Sequence, residues 1–170
     1  MTSVWNEPLQ HQFAAAIDML ERAIRACPPA EWDDASLPVA RRFSYIAFHT
    51  AFWLDMYLAE TDAGFQPPAP FTLDEMDPAG IYPATAYTPE QVLRYLVHGR
   101  AKAGRVLAGL TDARAGARCG ISFRDMSVLE LHLYNLRHVQ HHAGQLNLLL
   151  RQRIDDAPRW VASGELGERV

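Results

Sequence analysis

Residues 127–153 read SVLELHLYNLRHVQHHAGQLNLLLRQR, and this stretch decides both the fold and the candidate site. It opens with a capping box, in which the Ser127 hydroxyl and the Glu130 side chain can satisfy free amides of the first turn. It ends rich in arginine, which suits the negative end of a helix dipole. The stretch therefore predicts one helix of roughly 27 residues, about 40 Å long.

Three more segments repeat apolar side chains at three- and four-residue steps, the spacing of an apolar helix stripe. They predict helices over residues 7–26, 38–60 and 88–111. Each segment has, at or just before its start, a residue type that caps helices. The predicted caps are Asn6, Ser36 and Thr88.

The long connection, residues 61–87, is rich in proline, aromatic residues and aspartate. Four helices with one long connection predict an all-α four-helix bundle with a single crossover between helices 2 and 3. The length of 170 residues predicts one domain over residues 1–170. Loops of this length in compact domains are usually functional, ordered over a site, or disordered. Phe65, Phe71, Ile81 and Tyr82 favour a loop that packs against the bundle. Trp160 is expected to pin the C-terminal tail.

The composition is ordinary for a soluble globular protein, with 49% hydrophobic and 21% charged residues. A net charge of −4 argues against a nucleic acid or an anionic membrane as partner. No secretory signal and no membrane-spanning run is found, which predicts a cytoplasmic protein. The two cysteines lie far apart and form no CxxC motif, so free thiols are expected.

The histidines of the fourth predicted helix indicate a candidate metal site. Residues four apart on a helix differ by only about 40° in direction, so His138 and His142 lie one turn apart on one face and can reach one metal ion. His141 and His132 point elsewhere. His49 lies on an aromatic, inward-facing stripe of the second helix. Together these residues predict three imidazoles from two helices directed at one interior.

The alternative to a metal site is that these residues are core histidines held by hydrogen bonds, because a buried imidazole needs partners for its ring nitrogens. Three histidines with an open position match a catalytic Zn²⁺ site better than a structural one. Imidazole also suits Ni²⁺, Fe²⁺ and Cu²⁺, so the ligand type leaves the metal open. An HExxH protease is excluded because Val139 stands where that motif has its glutamate, and a di-iron bundle is excluded because the inward glutamates are missing.

Residues 137–146, RHVQHHAGQL, resemble the NHxxHHRGQ signature of the DinB/YfiT-like superfamily of metal-binding four-helix bundles. Arg137 replaces the usual asparagine and Ala143 the usual arginine. His49 corresponds to the lone histidine on the second helix of that family. The resemblance extends over the whole chain in length and helix order, and its specificity rests on about ten residues.

The resemblance implies an up-down-down-up bundle, a homodimer, and Zn²⁺ or Ni²⁺ on His49, His138 and His142 with water completing the site. Members with known activity transfer low-molecular-weight thiols such as bacillithiol or mycothiol, or isomerise substrates with their help. Some members are described as hydrolases, and many have no assigned activity.

Two functions of different class follow. The first is an enzyme whose metal lowers the pKa of a bound thiol or water, with a small molecule as substrate. Thiol transfer is preferred to hydrolysis because no carboxylate can be placed beside the metal as general base: Asp55 points about 120° away from His49, and Glu60 lies about 16 Å along the axis. The second is a non-catalytic protein that binds a metal or a small ligand, of the kind induced under stress.

Three further residues are candidates for the reaction itself. Tyr45 and Tyr134 are candidates to orient a substrate or donate a proton, although packing is the other interpretation of both. Gln145 lies on the ligand side, where it can bond a ligand imidazole, a bound water or a neighbouring helix. Gly144 is expected to let the helix pack closely against a neighbour.

Overall fold

The computed structural model describes residues 3–167, and over this range the chain is all-α, with two isolated β-bridges and no strand. Four helices are long and two are short. They are α1 (Asn6–Ala26), α2 (Pro29–Trp32), α3 (Phe43–Leu58), α4 (Pro89–Ala108), α5 (Asp112–Gly116) and α6 (Val128–Ile154).

The four long helices share one apolar core. Helix α1 packs on α4 and α6, and α3 packs on the same two helices. The all-α prediction with four long helices is therefore confirmed, whereas the up-down-down-up order stays a prediction. So does the single domain, whose predicted range includes residues 1–2 and 168–170 outside the described part. The largest fully buried core side chains include Phe13, Ile17, Phe48, Phe52, Leu54, Tyr95 and Leu107.

Side-chain caps begin two of the long helices as predicted. At the start of α4, the Thr88 hydroxyl accepts a bond from the Gln91 amide, and the Gln91 side chain accepts one from the Thr88 amide. At the start of α6, the Ser127 hydroxyl accepts a bond from the Glu130 amide at 3.2 Å. These bonds satisfy amides that the first turn of a helix leaves without partners.

The predicted starts of α1 and α3 were wrong. Asn6 is the first residue of α1 rather than its cap, and its buried side chain donates to the Leu110 carbonyl. Helix α3 begins at Phe43 instead of residue 38, because the chain first forms a 3₁₀ turn (Val39–Arg41) and Arg42 is extended. Ser36 therefore lies outside α3 and does not cap it.

The connection between α3 and α4 packs against the helices at some positions only. Phe65 and Phe71 are buried, and the Phe71 ring stacks on Phe48 and Tyr95. Ile81 and Tyr82 are nearly half exposed, contrary to expectation. Within the connection, a 3₁₀ turn (Asp74–Met76) brings a polar segment toward α3.

Two predictions about packing outside the core were wrong. Trp160 is 67% exposed, and the tail is held instead by buried Val161 and by Gly164, whose amide donates to the His11 carbonyl. A Cβ at Gly164 would lie 3.0 Å from Ala14 Cβ, so this close approach favours glycine. Gly144 is exposed, and apart from its chain neighbours and the nearby backbone of α6, no described atom lies within 4 Å of the position of its missing Cβ.

Across residues 3–167, no helix has both the length and the hydropathy needed to cross a bilayer.

Candidate metal centre

Helices α3 and α6 bring three histidines together. His49 comes from the middle of α3, and His138 and His142 lie one turn apart on α6. One ring nitrogen from each lies within 4.8 Å of the other two, and Nε2 of His138 is 3.2 Å from Nε2 of His49. The predicted convergence of these three rings is therefore present in the structure.

Hydrogen bonds fix the tautomers of two of the rings. His49 Nδ1 lies 2.6 Å from Glu75 Oε2, and His142 Nδ1 lies 2.6 Å from Gln145 Oε1. A carboxylate and an amide oxygen only accept, so each Nδ1 carries the proton and donates it. In the neutral rings, Nε2 of His49 and His142 consequently carries no proton, which is the form that binds a metal.

His138 is the most buried of the three rings. Its Nδ1 has no hydrogen-bond partner within the described chain. Burial lowers the pKa of His138 to about 3, with further lowering by charge on His142 and His49. Burial also lowers the pKa of His142 to about 4, against the opposing hydrogen bond to Gln145. Both rings are therefore neutral at pH 7, as metal ligands must be.

The spacing of the His49 and His138 nitrogens fits two ligands of one tetrahedral ion. Zn–N bonds of about 2.0–2.1 Å at tetrahedral angles place two ligand nitrogens about 3.3 Å apart. The observed 3.2 Å between His49 and His138 matches this spacing. In residues 3–167 the cluster has three members, and no fourth His, Cys, Asp or Glu joins it. Such a donor set leaves one position of a tetrahedral ion open, as in catalytic zinc sites.

Glu75 supports His49 and was missed by the sequence analysis. Its side chain is 3% exposed, and its Oε2 also accepts a bond from Trp53 Nε1 at 2.8 Å. Burial raises the pKa of Glu75, but its hydrogen bonds to His49, Tyr45 and Trp53 outweigh burial and hold the pKa below the ordinary value. The carboxylate is therefore charged. Its only signal in the sequence was the unusual length of the connection that carries it.

The two carboxylates that the sequence analysis did consider are engaged elsewhere. Asp55 binds Lys102 Nζ at 2.6 Å, and Glu60 binds His132 Nε2 at 3.0 Å. The prediction that neither residue serves the three histidines is consistent with these contacts. Glu75, which was not considered from the sequence, reaches the cluster from the connection and bonds His49.

Gln145 and Tyr45 both touch the ligand set indirectly. Gln145 bonds the His142 imidazole, one of the alternatives considered from the sequence. The Tyr45 ring lies 5.8 Å from the His49 ring. Burial, together with the nearby Glu75 carboxylate, raises the pKa of Tyr45, so this hydroxyl stays protonated. Tyr45 is therefore a poor proton donor to a substrate.

Tyr134 holds an arginine that the sequence did not single out. Its hydroxyl accepts a bond from Arg124 Nη2 at 3.0 Å, and the guanidinium lies over the Tyr134 and Phe123 rings. Arg124 Nη2 also donates to the Tyr57 hydroxyl at 3.3 Å, and the Tyr57 ring lies 6.2 Å from the His138 ring, so Arg124 lies near the cluster. None of the described carboxylates forms an ion pair with Arg124.

Two cavities adjoin the three histidines. The first, here the polar cavity, has a volume of about 460 Å³ and is bounded by Tyr134, Arg137, His138, Gln140 and His141. The second, here the apolar cavity, has a volume of about 430 Å³. Its walls include His49, His142, Ile46, Leu148, Leu149 and Arg41. Volumes of this size are typical of small-molecule sites.

Comparison with known proteins adds a family assignment. No curated protein and no solved structure matches the chain significantly. The family model of the DinB superfamily matches residues 12–146, a range that includes all three clustered histidines. This match spans well over half of the sequence, and the chain therefore belongs to the DinB superfamily.

Proposed function

We propose that this protein binds one divalent metal ion, Zn²⁺ or Ni²⁺, on Nε2 of His49, His138 and His142, and uses it to activate a small molecule. The observation that carries the proposal is the convergence of one ring nitrogen from each of the three histidines. Partners on Nδ1 leave Nε2 of His49 and His142 free, and His138 Nε2 lies at ligand spacing from His49. Three neutral ligands and one open position suit catalysis better than a closed structural site.

The charges around the cluster favour an anion at the open position. A divalent ion there would act as a Lewis acid and lower the pKa of a bound thiol or water toward neutrality. Three neutral imidazoles leave the charge of the ion undiminished. Arg124 adds a positive charge with no paired carboxylate, and Glu75 supplies one negative charge behind His49. A thiolate or a hydroxide is the kind of ligand that this field stabilises.

Thiol transfer is favoured over hydrolysis by the placement of Glu75. Its Oε2 bonds Nδ1 of His49, on the side of the ring opposite Nε2, and the same oxygen accepts a bond from Trp53 Nε1. It is therefore unsuited to take a proton from a nucleophile at the open position. A thiol that has lost its proton to solvent needs no further base, whereas hydrolysis requires additional proton transfers.

The proposed reaction is a substitution by sulfur. The thiolate sulfur forms a bond to an electrophilic carbon, the bond from that carbon to its leaving group breaks, and the leaving group departs with the electron pair. The polar cavity beside His138 offers Arg137, Gln140 and Tyr134 as hydrogen-bonding groups for the rest of a low-molecular-weight thiol.

The test begins with metal content. Purified protein is loaded with Zn²⁺ or Ni²⁺, freed of excess ion, and analysed for metal per chain. The loaded protein is then incubated with 1-chloro-2,4-dinitrobenzene and either L-cysteine or glutathione, and separately with 4-nitrophenyl acetate without thiol. We expect one ion per chain and a thiol-dependent release of chloride that metal-free protein and His49→Ala do not support.

His11→Ala is the matched control, because His11 lies on α1, outside the cluster and outside the walls of both cavities. It should keep both the metal and the activity. Thiol-independent ester cleavage would assign the hydrolase reaction instead. Bound metal without either activity would overturn the enzyme proposal and support a non-catalytic role in metal or small-ligand binding.

A further inference from the structure

The apolar cavity follows the groove between α3 and α6. His49 and His142 lie at one end, and Arg41 and Leu149 lie at the other. Leu149 follows His142 by seven residues on α6, which places it about 10 Å further along the helix axis, and Arg41 lies in the 3₁₀ turn that precedes α3. Ile46 and Leu148 line the space between them. The cavity therefore extends from two of the three histidines, His49 and His142, along an apolar wall to the Arg41 guanidinium.

Arg41 differs from the arginines around it. Arg42 pairs with Asp33, and Arg153 pairs with Glu31 and Asp34. Arg41 is exposed and forms no ion pair with any carboxylate of residues 3–167. A guanidinium without a protein partner at the end of an apolar cavity is suited to bind a carboxylate, which it can hold with two parallel hydrogen bonds.

We propose that the apolar cavity binds an organic acid with an apolar body, and that this acid is the electrophilic substrate. Its carboxylate binds Arg41, its apolar body packs against Ile46 and Leu148, and its opposite end lies beside His49 and His142. The role as electrophile rests on the proposed thiol transfer, whereas the binding itself does not.

This arrangement gives the two cavities separate tasks. The polar cavity takes the thiol from the His138 side, and the apolar cavity presents the electrophile from the His49 side. The reacting atoms then meet at the cluster from opposite sides. Recognition of the acid through Arg41 holds its carboxylate away from the cluster, where it would otherwise compete for the open position.

The test measures binding of two probes, 4-phenylbutyrate and its uncharged amide 4-phenylbutyramide, by isothermal titration calorimetry. Both metal-free and Zn²⁺-loaded protein are titrated. We expect one molecule of the acid per chain, bound about fivefold or more tightly than the amide, because only the acid forms the charged bond to Arg41. Arg41→Gln should reduce the affinity for the acid to that for the amide.

Two pairs of variants separate the cavity from general surface effects. Leu148→Gln should weaken both probes about threefold or more by removing apolar contact. Leu133→Gln is its control, since Leu133 is 47% exposed on the same helix and lines a different groove. Arg151→Gln is the control for Arg41→Gln, because Arg151 is exposed near the end of α6 and does not line the cavity. Neither control should change binding.

Co²⁺-loaded protein reports the orientation of the acid. Paramagnetic relaxation should broaden the phenyl protons of bound 4-phenylbutyrate more than the methylene protons beside its carboxylate. The reverse order would show the carboxylate on the ion and overturn the proposal. Equal binding of acid and amide, absence of binding, or equal losses in Leu148→Gln and Leu133→Gln would do the same. If the chain takes up no metal, the proposed function fails. The titrations of metal-free protein still show whether the apolar cavity binds the acid.

Discussion

Glu75 Oε2 lies 2.6 Å from His49 Nδ1, although Glu75 belongs to a 3₁₀ turn in the long connection and His49 to helix α3. The contact fixes the tautomer of His49 and makes its Nε2 a stronger electron donor. The affinity for metal is therefore expected to depend on a residue that is not itself a ligand.

Replacing Glu75 with glutamine should weaken binding of Zn²⁺ about 10- to 100-fold, because a neutral acceptor supports the imidazole less than a carboxylate does. The affinity can be measured by competition with the chelator 4-(2-pyridylazo)resorcinol. Asp74→Asn removes a charge from the same turn without touching His49, and it should leave the affinity unchanged. Equal losses in the two variants would show that only the net charge matters.

Gln145 is expected to do for His142 what Glu75 does for His49. Gln145→Leu removes the acceptor of the His142 Nδ1 proton and should weaken Zn²⁺ binding about tenfold. Gln145→Glu keeps an acceptor of similar reach and should bind Zn²⁺ at least as tightly as the natural protein. The side chain is exposed, so neither change should disturb folding. Identical affinities in the two variants would contradict this role.

Metal binding should appear as added stability. At a free Zn²⁺ concentration about 100 times the dissociation constant, one site adds about 2.7 kcal/mol to the free energy of unfolding. Thermal unfolding should show this increase in the natural protein and in His141→Ala. The increase should vanish in His142→Gln, since the remaining two imidazoles hold the ion far less tightly. A full increase in His142→Gln would remove this histidine from the ligand set.

Glu60 should control part of the acid sensitivity of the fold. Burial raises its pKa, but its bonds to His132 and Arg114 outweigh burial and hold the pKa below the ordinary value of 4.5. As the pH falls below about 4.5, the unfolded chain takes up this proton first, so stability is present above that pH and lost below it.

Glu60→Gln should accordingly lower the free energy of unfolding at pH 7 by about 1–3 kcal/mol, because it removes the charged acceptor of a buried bond. The difference between the two proteins should shrink as the pH is lowered from 5 toward 3. Urea unfolding across this range gives the comparison. A constant difference at every pH would show that the charge of Glu60 contributes nothing.

The helices were largely predictable because their signals are local. The capping sequence at Ser127 and the period of the residues after it place α6 within a residue of its observed ends. The start of α3 was not predictable from period alone, because Val39–Arg41 carries helix-like residues but forms a 3₁₀ turn. Propensity does not distinguish these two kinds of turn.

The residues of the candidate site that lie on long helices were predictable, and those that lie outside them were not. His138 and His142 lie four residues apart on one helix, and His49 lies on an inward stripe, so their convergence follows from simple rotation about the helix axes. Glu75 and Arg124 lie outside the long helices, where residue spacing carries no directional information. Their positions depend on tertiary packing of the chain around Trp53 and Tyr134.

The support of His49 by the connection has an evolutionary consequence. In the proposed site, three helical residues would hold the ion, while a turn in the connection, a part of a bundle that varies freely, would set how firmly the ion is held. Relatives with an identical histidine set can thus diverge in the metal concentration to which they respond through changes in that turn alone.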